Sequence, residues 1–405
     1  MPVPAVLPQP NSGVALGTMP KHKNSPPARA ASGISMHHDF RRGPMFAVLA
    51  AACLYAAACG SGSGSGPADP AAVEHGTASF DGAHAEHDTG ADAGSAPSAG
   101  TGAGTTTQPR LPLSLGTKQC ARGSTPALSV HVGNDPQALV EFEKWMGRPV
   151  DALQVHSGAR DWDDWYNSIS WEIDLWKNVD RRILWSIPLI PGTGTLAEGA
   201  KGSYDETWRR AARLLATSYP KQSQIYIRVG WEFNGPWKPW SSIGREKEFI
   251  GSYRRFVTAF RSISNRFIFE WTPNIGSHGN NPEDSYPGDQ YVDLIGMDFY
   301  YNTQWHPVDN KTAWNYMLNQ PYGLKWHQDF AARHKKQTAY SEWGFMTDGA
   351  VEFVKLAADW FRQHGIVYQN YRDSNSNFRG KLSHNQFPKA GAQFREQFRQ
   401  QLSCR

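Results

Sequence analysis

Eight short runs rich in β-branched and aromatic residues recur between residues 127 and 371, and longer stretches with the apolar spacing of amphipathic helices alternate with them. The strand-like runs fall at residues 127–133, 152–158, 183–191, 225–231, 267–272, 292–300, 338–342 and 366–371. Helix-like stretches fall at residues 136–146, 163–177, 205–218, 245–263, 324–335, 349–364 and 388–401. Regular alternation of this kind is the pattern of a parallel α/β domain. Eight strands with near-regular crossovers in about 290 residues are what a closed (β/α)8 TIM barrel needs, and that is the fold predicted for residues 110–405. Residues 276–290, rich in Gly, Asn, Asp and Pro, read as a loop, so one outer helix is expected to be short or missing.

The 405 residues divide unevenly, and a single catalytic domain behind a tether is expected. Residues 59–109 are mostly Gly, Ser, Ala, Thr, Pro and Asp, with Phe80 as the one aromatic residue. Such a segment buries too little apolar surface to offset its ordering entropy and reads as a disordered linker. His75, His84 and His87 within it read as solvated side chains rather than a metal site. Residues 1–58 read as leader and signal peptide: Arg41 and Arg42 precede the apolar run 45–58, and Cys59 follows. That run is shorter than the ~20 residues of a transmembrane helix. Ala56-Ala-Ala-Cys59 looks like a bacterial lipobox with Cys59 as the lipidated residue, although alanine stands where leucine is usual. Ordinary signal cleavage is the alternative. Either way the folded part is expected outside the cytoplasm, in the cell envelope or secreted, touching a membrane only through a lipid anchor.

Residues 1–58 carry five Lys/Arg and one Asp, and the linker carries six acids and no base, so the overall +4 becomes +6 over residues 110–405. This excess is small, and with no basic run or Lys/Arg stripe a nucleic-acid partner is not expected. Two of the four cysteines lie in the leader region, which leaves Cys120 and Cys404 near the two ends of the folded part. In an oxidising compartment they are expected to form a disulfide.

Functional side chains of a (β/α)8 barrel project from the C-terminal ends of its strands. Glu232 follows the fourth run and Glu342 ends the seventh, each beside a tryptophan. His156, Asn274, Asp298 and Tyr300 fall at other strand ends. A carboxylate pair at strand ends, with indole faces around it, is suited to acid/base and nucleophilic work on a glycosidic bond. No His-x-His or His/Asp set recurs at the strand ends, so neither a metal nor another cofactor is expected. Trp165 and Trp176 share helical spacing with Ile169 and Ile173 and read as core, whereas Trp237 and Trp240 lie in a Pro-containing loop and read as stacking faces for sugars. Several such faces imply several subsites and an endo-acting enzyme on a polymer.

The blocks Arg228-Val-Gly-Trp231-Glu232-Phe-Asn234-Gly-Pro-Trp237-Lys-Pro-Trp240, Glu270-Trp271-Thr-Pro-Asn274, Val292 to Asp298-Phe-Tyr300 and Ser341-Glu342-Trp343-Gly344 resemble, in that order, glycoside hydrolase family 26. That family contains β-mannanases and mixed-linkage β-glucanases of a retaining (β/α)8 clan. The resemblance implies that Glu232 is the general acid/base and Glu342 the nucleophile. It also implies a substrate site lined by Arg228, Trp231, Asn234, Trp237, Trp240, Trp271, Asn274, Asp298, Tyr300, Trp343 and His156. One departure is Trp231, where the family usually has histidine, which places the chain in a divergent branch.

Retention requires one carboxylic acid to protonate the leaving oxygen and one carboxylate to attack the anomeric carbon, with carboxyl groups about 5–5.5 Å apart. Strands four and seven face each other across an eight-stranded barrel, and Arg228 and the Tyr300 hydroxyl are the groups expected to keep Glu342 ionised. The expected partner is a β-linked polysaccharide, a mannan, a β-glucan or a bacterial exopolysaccharide, and the expected state is a monomer. The competing reading is a non-catalytic polysaccharide-binding barrel lipoprotein. A binding module needs aromatic faces but no positioned acid pair, which favours the enzyme.

Overall fold

The computed structural model describes residues 125–400. The expected leader, lipidation site Cys59, linker 59–109 and disulfide Cys120–Cys404 lie outside the described residues. Strands β1 (Ala127–His131), β2 (Ala152–His156), β3 (Arg182–Ile187), β4 (Ile225–Val229) and β5 (Phe267–Trp271) pair in parallel, each with the next. The sixth barrel strand is in two pieces, β6 (Leu294–Ile295) and β7 (Asp298–Tyr301), and so is the seventh, β8 (Gln337–Thr338) and β9 (Tyr340–Phe345). β6 pairs with β5 and β8, β7 with β9, β9 with β10 (Tyr368–Arg372), and β10 with β1, so the ring closes as a (β/α)8 barrel.

The break in the sixth strand has a local cause. A side chain on Gly296 would run into the Glu270 carboxylate and the Ser341 and Thr272 hydroxyls, so glycine is required where these groups approach the backbone. The ladder is carried across the gap by Gly296 N–H to Trp271 O at 2.9 Å and Met297 N–H to Ala339 O at 3.1 Å. The seventh strand runs on to Phe345, past the end expected from sequence, and the eighth ends one residue later than expected, at Arg372.

Around the sheet lie α1 (Pro136–Met146), α2 (Trp162–Trp176), α3 (Leu196–Lys201), α4 (Asp205–Ser218), α5 (Glu246–Arg261), α6 (Asn310–Asn319), α7 (Leu324–Arg333), α8 (Val351–His364) and α9 (Pro388–Phe398). The Asp135 side chain accepts from the Gln137 N–H, Pro136 opens the first turn of α1, and Gly147 closes it in the left-handed region. Between β5 and β6 there is a single 3-10 turn, Pro282–Ser285, where the composition indicated a loop. α3 and α6 were not expected. α3 is six residues long and depends on Gly199 to lie close against Ser252 of α5. The three asparagines of α6 dilute its apolar spacing, and it buries Ala313, Trp314 and Met317.

Period-two alternation along the strands builds the barrel interior in layers. The N-terminal layer is apolar: Ala127, Ala152, Leu184, Tyr226, Ile268, Leu294, Ala339 and Tyr368 are all buried in one cluster. Two residues further along, the same strands supply Ser129, Gln154, Ser186, Arg228, Glu270, Gly296, Ser341 and Asn370, a buried and mostly polar layer. The residues between them, Leu128, Leu153, Trp185, Ile227, Phe269, Ile295 and Tyr340, pack outward in the large core beneath the helices. An apolar plug under a polar floor leaves the C-terminal mouth as the place for chemistry.

Candidate active site

Glu342 belongs to β9, whose alternation is interrupted. Gln369 pairs with Tyr340 and Tyr371 with Trp343, so Ser341 and Glu342 together oppose the single residue Asn370. This β-bulge lets both side chains point inward while Tyr340 and Trp343 both pack outward. The Tyr300 hydroxyl donates to Glu342 Oε1 at 2.5 Å. Arg228 Nη1 lies 3.5 Å from Oε2, Arg372 Nε 3.6 Å from Oε1, and His156 Nε2 3.9 Å from Oε2. Arg228 also pairs with Asp298 and donates to Ser186 Oγ at 3.2 Å.

Glu232 stands on the turn that leaves β4. Gly230 has φ +57° and Glu232 itself φ +53°, a left-handed conformation uncommon for a residue with a side chain. Backbone bonds hold it there: Glu232 N–H to Thr272 O at 2.8 Å, and Gly235 N–H to Glu232 O at 3.0 Å. A non-glycine residue fixed in this region marks a functional candidate, because the surrounding structure must over-determine the geometry. Glu232 Oε1 accepts from Asn274 Nδ2 at 2.8 Å, and Oε2 accepts from Trp237 Nε1 at 3.0 Å. Lys238 Nζ lies 3.3 Å from the same Oε2. Asn274 is held in turn by Asn234, which donates to the Asn274 carbonyl at 2.8 Å and accepts its backbone N–H at 2.8 Å.

Burial pushes the Glu342 carboxyl up, but the guanidinium groups of Arg228 and Arg372 and the Tyr300 hydroxyl outweigh it and hold the group below the usual glutamate value. Asp298 moves the other way: its complete burial pushes it well above the ordinary value against the pull of Arg228, with Glu342 adding to the rise. Two acids thus share one guanidinium, and their charge states are driven apart. His131 and His156 lie tilted against each other at 4.5 Å between ring centroids, and burial lowers both, His131 to about 4, so both rings are neutral near pH 7.

The structure brings most of the expected site residues together. Arg228, His156, Asp298 and Tyr300 surround Glu342, while Asn234, Trp237 and Asn274 surround Glu232. Trp231 lies between the two groups, its ring 5.1 Å from the Arg228 guanidinium and 5.0 Å from the His156 centroid. Three of the expected sugar-binding tryptophans are corrected. Trp271 and Trp343 are fully buried, and Trp240 is 1% exposed with its Nε1–H bonded to the Trp231 carbonyl at 2.7 Å. Rings packed on every side have no face for a sugar. Trp271 meets Phe233 and Phe330, and Trp343 meets Phe299 and Phe394, so these indoles belong to the core.

Four contributors were missed. His131 and Arg372 stand at the ends of β1 and β10, where the strand-end rule finds them once the true boundaries are known. Phe378 lies with its centroid 4.7 Å from Tyr300 and 4.8 Å from the Arg372 guanidinium carbon. Neither it nor Lys238 carries a sequence signal, because both sit in loops folded back over the mouth.

A closed ring of parallel strands, helices outside it, and two glutamates at the mouth, one on the turn after the fourth strand and one in the seventh, define a (β/α)8 barrel with two candidate catalytic carboxylates. The sequence profile of glycosyl hydrolase family 26 matches residues 211–323, which hold Arg228, Glu232, Asn274, Asp298 and Tyr300. Over that segment the chain is similar to glycoside hydrolase family 26. It is 26% identical over 197 residues to endoglucanase H of Acetivibrio thermocellus, covering 44% of this chain and 21% of that protein. It is 28% identical over 144 residues to a mannan endo-1,4-beta-mannosidase of Bifidobacterium adolescentis, covering 34% of this chain and 14% of that protein. The matched part is therefore about a fifth or less of these curated relatives. A modular endo-beta-1,4-mannanase from Cellulomonas fimi superposes with a TM-score of 0.50 at 15% identity, over 67% of this chain and 72% of that one, which is a likeness of fold.

Proposed function

We propose that the protein is a glycoside hydrolase that cleaves a β-linked polysaccharide of the mannan or glucan type with retention, acting within the chain. The carrying observation is that two strand-end glutamates have different partners: Glu342 lies among two guanidinium groups and a tyrosine hydroxyl, and Glu232 accepts from an indole and an amide on a fixed turn. In the first step a Glu342 oxygen attacks the anomeric carbon, and the glycosidic C–O bond breaks as its oxygen takes the Glu232 proton. In the second, Glu232 takes a proton from water, whose oxygen attacks the same carbon and releases Glu342 as carboxylate. Trp237, partly exposed beside Glu232, offers a sugar-stacking face.

The composition of residues 41–59 supports export with an anchor at Cys59, and the placement of Cys120 and Cys404 near the ends of the domain supports a disulfide. Incubation with β-mannans, β-glucans, xylan and bacterial exopolysaccharides, with proton NMR of the earliest product, tests the reading. Retained β configuration and a ladder of internal products are expected. An inverted first product, or binding without cleavage of any of these polymers, overturns it.

A further inference from the structure

Lys238 stands out because nothing in the double-displacement scheme requires it, yet its ammonium reaches Glu232. The loop after β4 folds back on itself: Ser241 N–H bonds to Lys238 O at 3.0 Å, Ser242 N–H to Phe233 O at 2.8 Å, and Trp240 Nε1–H to the Trp231 carbonyl. The fold-back lays the Lys238 ammonium 5.0 Å from the centroid of Trp231 and 5.8 Å from that of Trp240, with the side chain 12% exposed. Indole faces hold a cation through their quadrupole, and more strongly where water is excluded. From this seat the ammonium lies 3.3 Å from Glu232 Oε2.

We infer that Lys238, seated on Trp231 and Trp240, is a positioning residue for Glu232. This rests on Glu232 being the acid/base as proposed above. Oε1 accepts from Asn274, while Oε2 meets both Trp237 and Lys238. Asn274 from the loop after β5 and the neighbours Trp237 and Lys238 from the loop after β4 together fix the plane of the carboxyl, and orientation of the reacting oxygen is what proton transfer to a leaving group demands. The same arrangement accounts for tryptophan at position 231. Its ring contacts Arg228, which serves Glu342, and Lys238, which serves Glu232, so one indole organises the cations of both glutamates.

The test compares Lys238→Met, Lys238→Arg and Glu232→Ala in the full chain, on the polymer it cleaves and on dinitrophenyl β-cellobioside and β-mannobioside, whose leaving group needs no acid. Lys238→Met should lower kcat/KM on polymer by about tenfold or more and leave kcat/KM on the cleaved dinitrophenyl glycoside within about threefold, with Lys238→Arg recovering most of the polymer activity. An equal fall on both substrates, or no fall on polymer, overturns the role of Lys238, and a thermal melt of each variant separates lost folding from lost positioning. If Glu232→Ala itself shows no difference between the substrates, the acid/base assignment fails, and the role of Lys238 falls with it.

Discussion

Ser341 and Glu342 are consecutive in sequence and both point into the barrel, because β9 carries one residue more than β10 between the pairs Tyr340–Gln369 and Trp343–Tyr371. Ser341 reaches Glu270 in the floor, and Glu342 reaches Arg228 and Tyr300 at the mouth. A regular strand would have turned one of the two toward the helices. The bulge therefore brings Glu342 to the mouth, where the proposed reaction needs its nucleophile. Glu342→Ala is expected to remove turnover on every substrate, and azide should not restore product of retained configuration. Glu232→Ala should lower polymer hydrolysis by about 10²–10⁴-fold, while azide accelerates turnover of an activated aryl glycoside. Near-normal polymer activity in both variants would refute the assignment.

Tyr300→Phe removes the 2.5 Å hydrogen bond to Glu342 Oε1 without opening space in the core. One hydrogen bond to a charged group corresponds to about a ten- to hundredfold loss in kcat/KM. Steady-state kinetics on the cleaved polymer check it; an unchanged value would remove Tyr300 from the site.

The pH dependence should follow the cations around Glu342. Arg228 and Arg372 hold its carboxyl below the usual glutamate value, so the acidic limb of kcat/KM is set low in the native protein. Arg372→Met removes one of these cations, and the limb should move to higher pH. The measurement is a kcat/KM profile on a dinitrophenyl glycoside; a limb that stays or moves down contradicts the electrostatic role.

His131 is buried neutral, with its pKa lowered from 6.5 to about 4 by loss of hydration and by Arg372. The unfolded chain binds this proton and the folded chain does not, so His131 weakens folding as pH falls below about 6.5, with the penalty complete near 4 and amounting to about 3 kcal/mol. His131→Gln should flatten the decline in stability over that window, read as the urea midpoint against pH.

Trp343 and Trp237 should separate packing from catalysis. Trp343 is fully buried among Phe299, Phe394 and Phe398, so Trp343→Ala should cost about 3–5 kcal/mol of stability. Trp237 is partly exposed and donates to Glu232, so Trp237→Phe should leave the melting temperature nearly unchanged and lower polymer kcat/KM about tenfold. Matching stability losses in the two variants would argue against this division.

Strand-like runs and helix-like stretches made the barrel legible from residue order, because period-two and helical apolar spacing are local properties. Glu232 and Glu342 could be picked out as strand-end carboxylates by the same local reading. Tertiary structure decided which indoles stay open at the mouth and which fill the core. Trp237 and Trp240 share one loop in sequence, yet the fold-back buries Trp240 beneath Trp231 and leaves Trp237 against Glu232. It also decided that two inward residues follow each other in β9, since a bulge is defined by the register of the partner strand. The charge states of Glu342 and His156 depend on Arg372, Lys238 and His131 arriving from three separate chain segments. Electrostatic coupling falls with distance in space, and separation along the chain carries almost no information about that distance.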